Sequence, residues 1–262
     1  MYTDIHAHLL PGVDDGPDSL EESLRVIDLM VEEGVSRIII TPHWDEKGPF
    51  GLALASIDAR RRPKTMEEIK EIYDELVNAA VKKYPVLNFY LGSEFYYTSA
   101  GVKSLLAGDI PTLAGTKYVL TEFNLGTGYG PLKEGIKNLL HAGYLPIVAH
   151  TERYECLIRR PDRLTELLKM GMYVQINTKT LIRPIQNERT KWAFEILEQN
   201  WVHLLATDTH NDDYRPPVMK EPVEKLAKFL TGPNRKKHPD HPGQLENILF
   251  HNPDKLLNNQ YI

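Results

Sequence analysis

Short apolar runs alternate along this chain with longer stretches in which apolar positions return every three or four residues. The runs Tyr2–His6, Arg37–Thr41, Leu87–Leu91, Tyr118–Thr121, Leu145–Ala149, Tyr173–Ile176 and Val202–Ala206 are mostly rich in β-branched and aromatic side chains, which predicts strands. The stretches between them predict amphipathic helices. Leu20, Leu24, Ile27 and Val31 share a face, Ser19 and Glu22 have the spacing of a capping box, and Gly34 has the place of a helix stop. Ile69, Ile72, Leu76 and Ala80 repeat likewise behind Thr65 and Glu68. Leu132, Ile136 and Leu139 mark another helix, and Leu164, Leu167 and Leu168 one that opens near Pro161. Ala193, Ile196 and Leu197 mark a further one.

Seven β-then-α units in succession predict an α/β fold, a parallel TIM-like (β/α)7 barrel in a single domain over residues 1–262. Two stretches break the alternation. Trp44–Pro63 is rich in Gly, Pro and charge, and Gly232–Gly243 is a Pro/His/Lys stretch that opens a C-terminal loop and helix segment. Both are expected to be excursions on the one domain. A doubly wound open sheet is the alternative, and no Gly-rich phosphate fingerprint supports it.

The polar residues that end the strands change the picture. The first run leads into His6 and His8, and the second into His43 through "RIIITPH". The third leads to Glu94 in "YLGSE", the fourth to Glu122 in "VLTE", the fifth to His150 in "IVAH", and the seventh to Asp208 and His210 in "LLATDTH". In a parallel barrel these ends share the rim where such folds do chemistry. A His-x-His pair alone is weak, since 10 His in the chain produce one by chance roughly 0.4 times. Six of seven strands with a ligand-type residue at one end are harder to assign to chance. Side chains two apart on a strand point the same way, so His6 and His8 can share an ion, and Asp208 and His210 one cavity. Imidazole and carboxylate without thiolate suit divalent Mn, Fe or Zn. With Asp15 from "HLLPGVDDG" there are nine possible ligands, enough for two or three ions. Such clusters clamp phosphate oxygens and ionise a bound water.

Each residue also has a plainer reading. His6 and His8 would then be hydrogen-bonded barrel-mouth residues, Glu94 and Glu122 caps or salt-bridge partners, and one of Asp14 and Asp15 a turn residue only. His141 near a helix end and His203 at the far end of its strand are expected to be structural. His238, His241 and His251 are expected in surface loops or at helix ends. Arg153, three past His150, and Arg215, seven past Asp208, lie in loops after rim strands, where a guanidinium could clamp a phosphate. Arg60–Arg62 reads as a solvated charge run. Asp4, two before His6, is a candidate for orienting a ligand imidazole.

Composition narrows the partners. Net charge is −5 with mixed signs, which excludes a broad basic field for nucleic acid or an anionic membrane. No apolar run reaches 18 residues and no signal-peptide pattern opens the chain, so neither membrane insertion nor export is expected, and the expected location is cytoplasmic. Cys156 is the single cysteine, which excludes an intrachain disulfide and a Cys-rich zinc site. A cysteine-nucleophile phosphatase would need Cys-x5-Arg, and the position six after Cys156 is Asp162.

Taken together, "DIHAH", "TPH", "GSE", "TEF", "AHTERY" and "DTH" resemble the PHP superfamily of metal-dependent phosphoesterases. "IHAHLLPGVDDG", "AHTERY" and "THNDDYRPP" look like its bacterial protein-tyrosine phosphatases, which accompany capsule and exopolysaccharide loci and oppose bacterial tyrosine kinases. The resemblance runs from Tyr2 to Pro217. It implies a distorted seven-stranded barrel with three divalent metals, manganese foremost, iron or zinc next. His6, His8, Glu94 and Asp208 would hold the first ion. Glu94 would bridge to the second, with Glu122 and His150, and Asp15, His43 and His210 would hold the third. Arg153 and Arg215 match the phosphate-contacting arginines. Thr151 stands where the family usually has proline. The implied substrate is phosphotyrosine in protein, on the tail of a bacterial tyrosine kinase. Alternatives are a small-molecule phosphatase such as histidinol-phosphate phosphatase, and a non-catalytic phosphotyrosine-binding module. A deaminase-type barrel would want a bridging lysine where Glu122 stands.

Overall fold

The computed structural model describes residues 1–45, 48–49, 65–231 and 243–262. The expected strands form as β1 (Tyr2–Ala7), β2 (Val35–Ile40), β5 (Asn88–Leu91), β7 (Tyr118–Glu122), β8 (Leu145–Val148), β9 (Tyr173–Asn177) and β10 (Leu204–Ala206). Three short strands carried no expectation: β3 (His43–Asp45), β4 (Gly48–Pro49) and β6 (Glu94–Tyr96). β3 and β6 continue the paths of β2 and β5 after breaks at Pro42 and Gly92–Ser93, too brief to show as separate apolar runs.

Strand pairing is parallel throughout except for the small β3–β4 hairpin. It divides into a sheet of order β1-β2-β5 and another of order β10-β9-β8-β7-β6-β3-β4. Backbone bonds stitch the β1–β10 seam, and at the other the chain itself runs from β2 into β3 and from β5 into β6. Asp208 N–H donates to His6 O at 3.0 Å and His8 N–H to Thr209 O at 2.9 Å, while Glu94 N–H donates to Pro42 O at 3.0 Å.

The five expected helices form, and the others carried no expectation of their own. α1 (Leu20–Glu32) buries Val26, Ile27 and Met30, and Gly34 stops it at φ +84°. Ser19 caps the Glu22 N–H, but Glu22 reaches Asp18 N–H instead of Ser19, so the capping box is half made. At α2 (Met66–Lys83) the Thr65/Glu68 box is complete. α3 (Gly101–Ala107), α4 (Tyr129–His141), α5 (Pro161–Met170), α6 (Thr178–Ile182), α7 (Glu188–Glu198) and α8 (Lys220–Thr231) follow. α9 (Gln244–Glu246), a π-turn over Asn247–His251 and α10 (Asn252–Leu257) close the described chain.

Two apolar clusters result. The larger packs the helices onto the sheets. The smaller draws Ile5, Ile39, Tyr118, Ile147, Tyr173 and Leu204 from six different strands, and meets Leu256 of α10. It is a floor beneath the strand ends that carry His6, Glu122, His150 and Asp208. The Trp44–Pro63 excursion falls on described residues only at 44–45 and 48–49, and Arg60–Arg62, His238 and His241 lie outside them. His141 ends α4 and His251 is an exposed residue of the π-turn.

His203 is partly buried, and its Nδ1 accepts the Val174 N–H at 3.1 Å. Burial lowers its pKa to about 4. The unfolded chain, with an ordinary histidine, takes up a proton first as pH falls, so this stabilisation is whole above pH ~6.5 and is lost toward pH 4. His203→Asn keeps an acceptor without the titration. Urea unfolding should show the variant losing about 1 to 2 kcal/mol less than the parent between pH 7 and 5. Equal losses would refute the assignment.

Candidate metal centre

The register of β1 is where the site begins. Asp4 pairs with Ile38 and Ala7 with Ile40, so β1 carries one extra residue against β2. Such a slip re-aims the side chains beyond it. Ile5 stays in the floor cluster, while His6 and His8 converge with their Nε2 atoms 3.1 Å apart. The slip also changes the reading of Asp4. Its carboxylate accepts the backbone N–H groups of His6 at 3.3 Å and Thr207 at 3.1 Å, and no imidazole. Asp4 fixes the β1–β10 seam instead of a ring, and burial raises its pKa to about 6.

Glu94 Oε2 lies 3.3 Å from the Nε2 atoms of both His6 and His8, and Asp208 Oδ1 lies 3.5 and 3.6 Å from the same two. Four ligands placed tetrahedrally at about 2.1 Å from an ion would be about 3.4 Å from one another. The other Glu94 oxygen is 3.0 Å from His150 Nε2, which lies 3.5 Å from Glu122. His43 bridges two groups, with Nδ1 3.0 Å from Glu94 and Nε2 3.4 Å from Asp15. His210 Nε2 is 3.1 Å from the same Asp15 oxygen. All nine expected residues therefore meet at one end of the sheets. Three groupings among the described residues could hold an ion: His6, His8 and Asp208; His8, Asp15, His43 and His210; and His43, Glu94 and Glu122.

Glu94 Oε2, Asp15 Oδ1 and His210 Nε2 are buried and satisfied by no hydrogen bond of proper geometry, although each has a counterpart within 3.5 Å. Each belongs to a residue grouping whose ligand atoms lie within 4.8 Å of one another. That arrangement fits cations between them. Burial pushes Glu94 toward neutrality, but the surrounding imidazoles outweigh it and hold its carboxyl well below the usual range. Burial together with the Glu94 charge raises Glu122. His210 is drawn down to about 4, chiefly by burial and then by His8.

An outer ring of hydrogen bonds orients these groups. Asp14 Oδ2 sits 2.6 Å from His8 Nδ1 and accepts the His43 N–H at 3.0 Å, while Oδ1 accepts the Gly16 N–H. A Cβ on Gly16 would come within 2.8 Å of the His8 carbonyl oxygen, so this turn needs glycine. Asp14 is thus both the turn residue and a support for an imidazole. β9 ends in no acid or histidine and supplies amides instead. Gln175 Oε1 accepts the His150 N–H at 2.7 Å, Gln175 donates to Asn177, and Asn177 donates to Asp208 Oδ2 at 2.8 Å. The alternating polar positions 175 and 177 in "YVQIN" were the available signal. Asn211 Oδ1 collects the N–H groups of Tyr214 and Arg215 and closes the loop that delivers Arg215. His150 and Asp208 both have positive φ, +34° and +54°, backbone strain at the site itself.

Both expected arginines reach this cluster. Arg215 Nη2 donates to Asp208 Oδ1 at 2.9 Å and Nη1 lies 3.4 Å from Asp15, while Arg153 Nη1 is 3.8 Å from Asp208. Thr151 is buried, and its hydroxyl donates to Val148 O at 2.8 Å, closing the turn that a proline would otherwise stiffen. Cys156 is half-buried, and burial raises its thiol pKa.

An α/β fold of parallel sheets with a histidine–carboxylate cage and two arginines at the strand ends defines a phosphoesterase-like class of metal site. The family model "Capsular polysaccharide synthesis, CpsB/CapC" matches residues 2–258, and the chain belongs to that family. It is 34% identical over 266 residues to tyrosine-protein phosphatase CpsB of Streptococcus agalactiae, covering 99% of each chain. It is 26% identical over 259 residues to tyrosine-protein phosphatase YwqE of Bacillus subtilis, covering 99% of this chain and 92% of the other. One solved chain, from crystal structures of YwqE from Bacillus subtilis and CpsB from Streptococcus pneumoniae described as unique metal-dependent tyrosine phosphatases, superposes with a TM-score of 0.81 at 26% identity over 99% of this chain and 96% of that one. A Listeria monocytogenes lactonase, 14% identical with a TM-score of 0.58 over 98% of this chain and 94% of that one, shares the fold alone.

Proposed function

We propose that this chain is a metal-dependent protein-tyrosine phosphatase acting on a bacterial tyrosine kinase of capsule or exopolysaccharide synthesis. The observation that carries this reading is the buried Glu94 oxygen facing His6, His8 and His43 without a proper hydrogen bond. The full-length likeness to named tyrosine-protein phosphatases supports it.

In this reading His6, His8, Glu94 and Asp208 hold a first divalent ion, Glu94, Glu122 and His150 a second, and Asp15, His43 and His210 a third, with manganese first in preference and iron or zinc next. Bound there, such ions would polarise phosphoryl oxygens and lower the pKa of a water. The chain's own residues do the rest. Asp14 and Gln175 hold the His8 ring and the His150 backbone in place. Arg153 and Arg215 face the equatorial oxygens and take their charge as phosphorus passes from the phenolic oxygen to the oxygen of water. The leaving phenolate, with a parent pKa near ~10, needs little protonation help. We also infer that the two sheets are one distorted barrel in a single domain over 1–262. The two seams support this, as does the Tyr118 hydroxyl, which donates to Gln260 O at 2.7 Å. A kinase tail as partner places the chain in the cytoplasm. No described helix is long and apolar enough to cross a membrane.

Phosphate release should follow added Mn²⁺, stop with chelator, and favour a phosphotyrosine peptide over histidinol phosphate. Preference for histidinol phosphate would move the substrate to a small metabolite, and peptide binding without turnover in metal-loaded protein would make the chain a binding module. Cys156→Ser should keep full activity, and a dead but folded variant would overturn the metal-based reading. Asp14→Asn leaves every ligand in place but removes the charged partner of His8. It should weaken Mn²⁺ binding about 10- to 100-fold in a metal titration. Unchanged affinity would separate His8 from the metal.

A further inference from the structure

A cavity of about 330 Å³ opens beside Asp208, lined by Arg153, Lys179, Arg183, Arg189 and Arg215. Asp208 is the one carboxylate on its described wall. Five cations around a single cleft are notable in a chain whose net charge is −5. Arg153 and Arg215 are accounted for by Asp208. The other three are not. Lys179 Nζ donates to the backbone carbonyl of Tyr214 at 2.8 Å, tying α6 to the Arg215 loop while its charge stays uncompensated. The guanidiniums of Arg183 and Arg189 face no carboxylate partner among the described residues. Glu188, beside Arg189, pairs with Arg159 at 3.2 Å instead. Arg183 is exposed and Arg189 partly so, which keeps both available to a ligand.

A cleft lined by one sign of charge focuses its field and gathers counter-charged ligands. Guanidinium forks match carboxylate and phosphate oxygens in pairs. The cavity has the size of a pocket for a whole small ligand, more than one phosphoryl group fills. We propose that Lys179, Arg183 and Arg189 form a second anion subsite, which binds a carboxylate or phosphate carried on the same peptide as the phosphotyrosine. The proposal rests on the phosphatase reading and deepens it: the preferred substrate is an acidic or multiply phosphorylated segment.

The test uses the metal-loaded full chain with Arg183→Ala, Arg189→Ala and the double variant, each checked for an unchanged melting temperature. Substrates are p-nitrophenyl phosphate and three phosphotyrosine peptides, one with neutral flanks, one with glutamates on both sides, and one with a second phosphotyrosine. The double variant should raise KM about tenfold for the two anionic peptides, with kcat unchanged, and leave the other two substrates alone. The gap should close as salt rises toward 1 M. A larger loss for the glutamate peptide would identify a carboxylate as the natural anion, and a larger loss for the doubly phosphorylated one a phosphate. Equal KM for parent and variant on every peptide would overturn the subsite. If the parent turns over no phosphotyrosine substrate, the phosphatase reading has failed on its own. Fluorescence anisotropy with phosphonate analogues of the same peptides then decides the subsite, through the same tenfold loss or its absence.

Discussion

The structure is organised around a charge problem. Glu94 is buried among imidazoles and other carboxylates, with an oxygen that no hydrogen bond satisfies. A buried carboxylate without compensation is among the costlier things a fold can contain. Here Asp14, Asp15, Glu122 and Asp208 crowd the same space, and two arginines are the only permanent cations that touch it among the described residues. Cations held between these groups would relieve the repulsion and use the orphaned oxygens at once. The same atoms that repel one another are what would make the cage selective for a charged occupant.

Holding such a cage open requires the rest of the fold to be stiff. The floor cluster beneath it is fully apolar on its strand faces, drawn from six strands and capped by Leu256. Above it, the amides of Gln175 and Asn177 tie His150 to Asp208 across β8, β9 and β10. Asp4 locks the β1–β10 seam through backbone N–H groups. The positive φ at His150 and Asp208, with a cost of order 1 kcal/mol each, persists because these bonds over-determine the local backbone. Strain sits at two positions of the cage and rigidity sits around them.

The sequence makes the cage readable because its histidines and carboxylates fall at strand ends, and strand ends follow from apolar runs. His43, Glu94, Glu122, His150, Asp208 and His210 could all be placed on one rim in this way. What was hidden depends on single-residue backbone events. The extra residue in β1 falls between Asp4 and Ala7, and no periodicity reports a one-residue slip, so Asp4 looked like a partner for an imidazole. β3 and β6 are three-residue strands, below the length at which alternation has meaning. Gln175 and Asn177 drew no expectation, because amides are poor metal ligands. Their contribution is visible only once β9 is known to lie between β8 and β10.

Arg183, Arg189 and Lys179 were hidden for a different reason. They follow the strand that carries no ligand, and in sequence they look like scattered surface charges. The fold places them on the same cleft as Arg153 and Arg215, with Asp208 of the buried cage on its wall. The two regions divide the electrostatic work. The cage concentrates negative charge where it is shielded from water and calls for small cations. The cleft concentrates positive charge where water and larger ligands have access. A field focused in this way would gather a phosphate ester beside Asp208. The overall charge of −5 therefore says little about what the site attracts, because the field near the mouth is set by five side chains and not by the average over the surface.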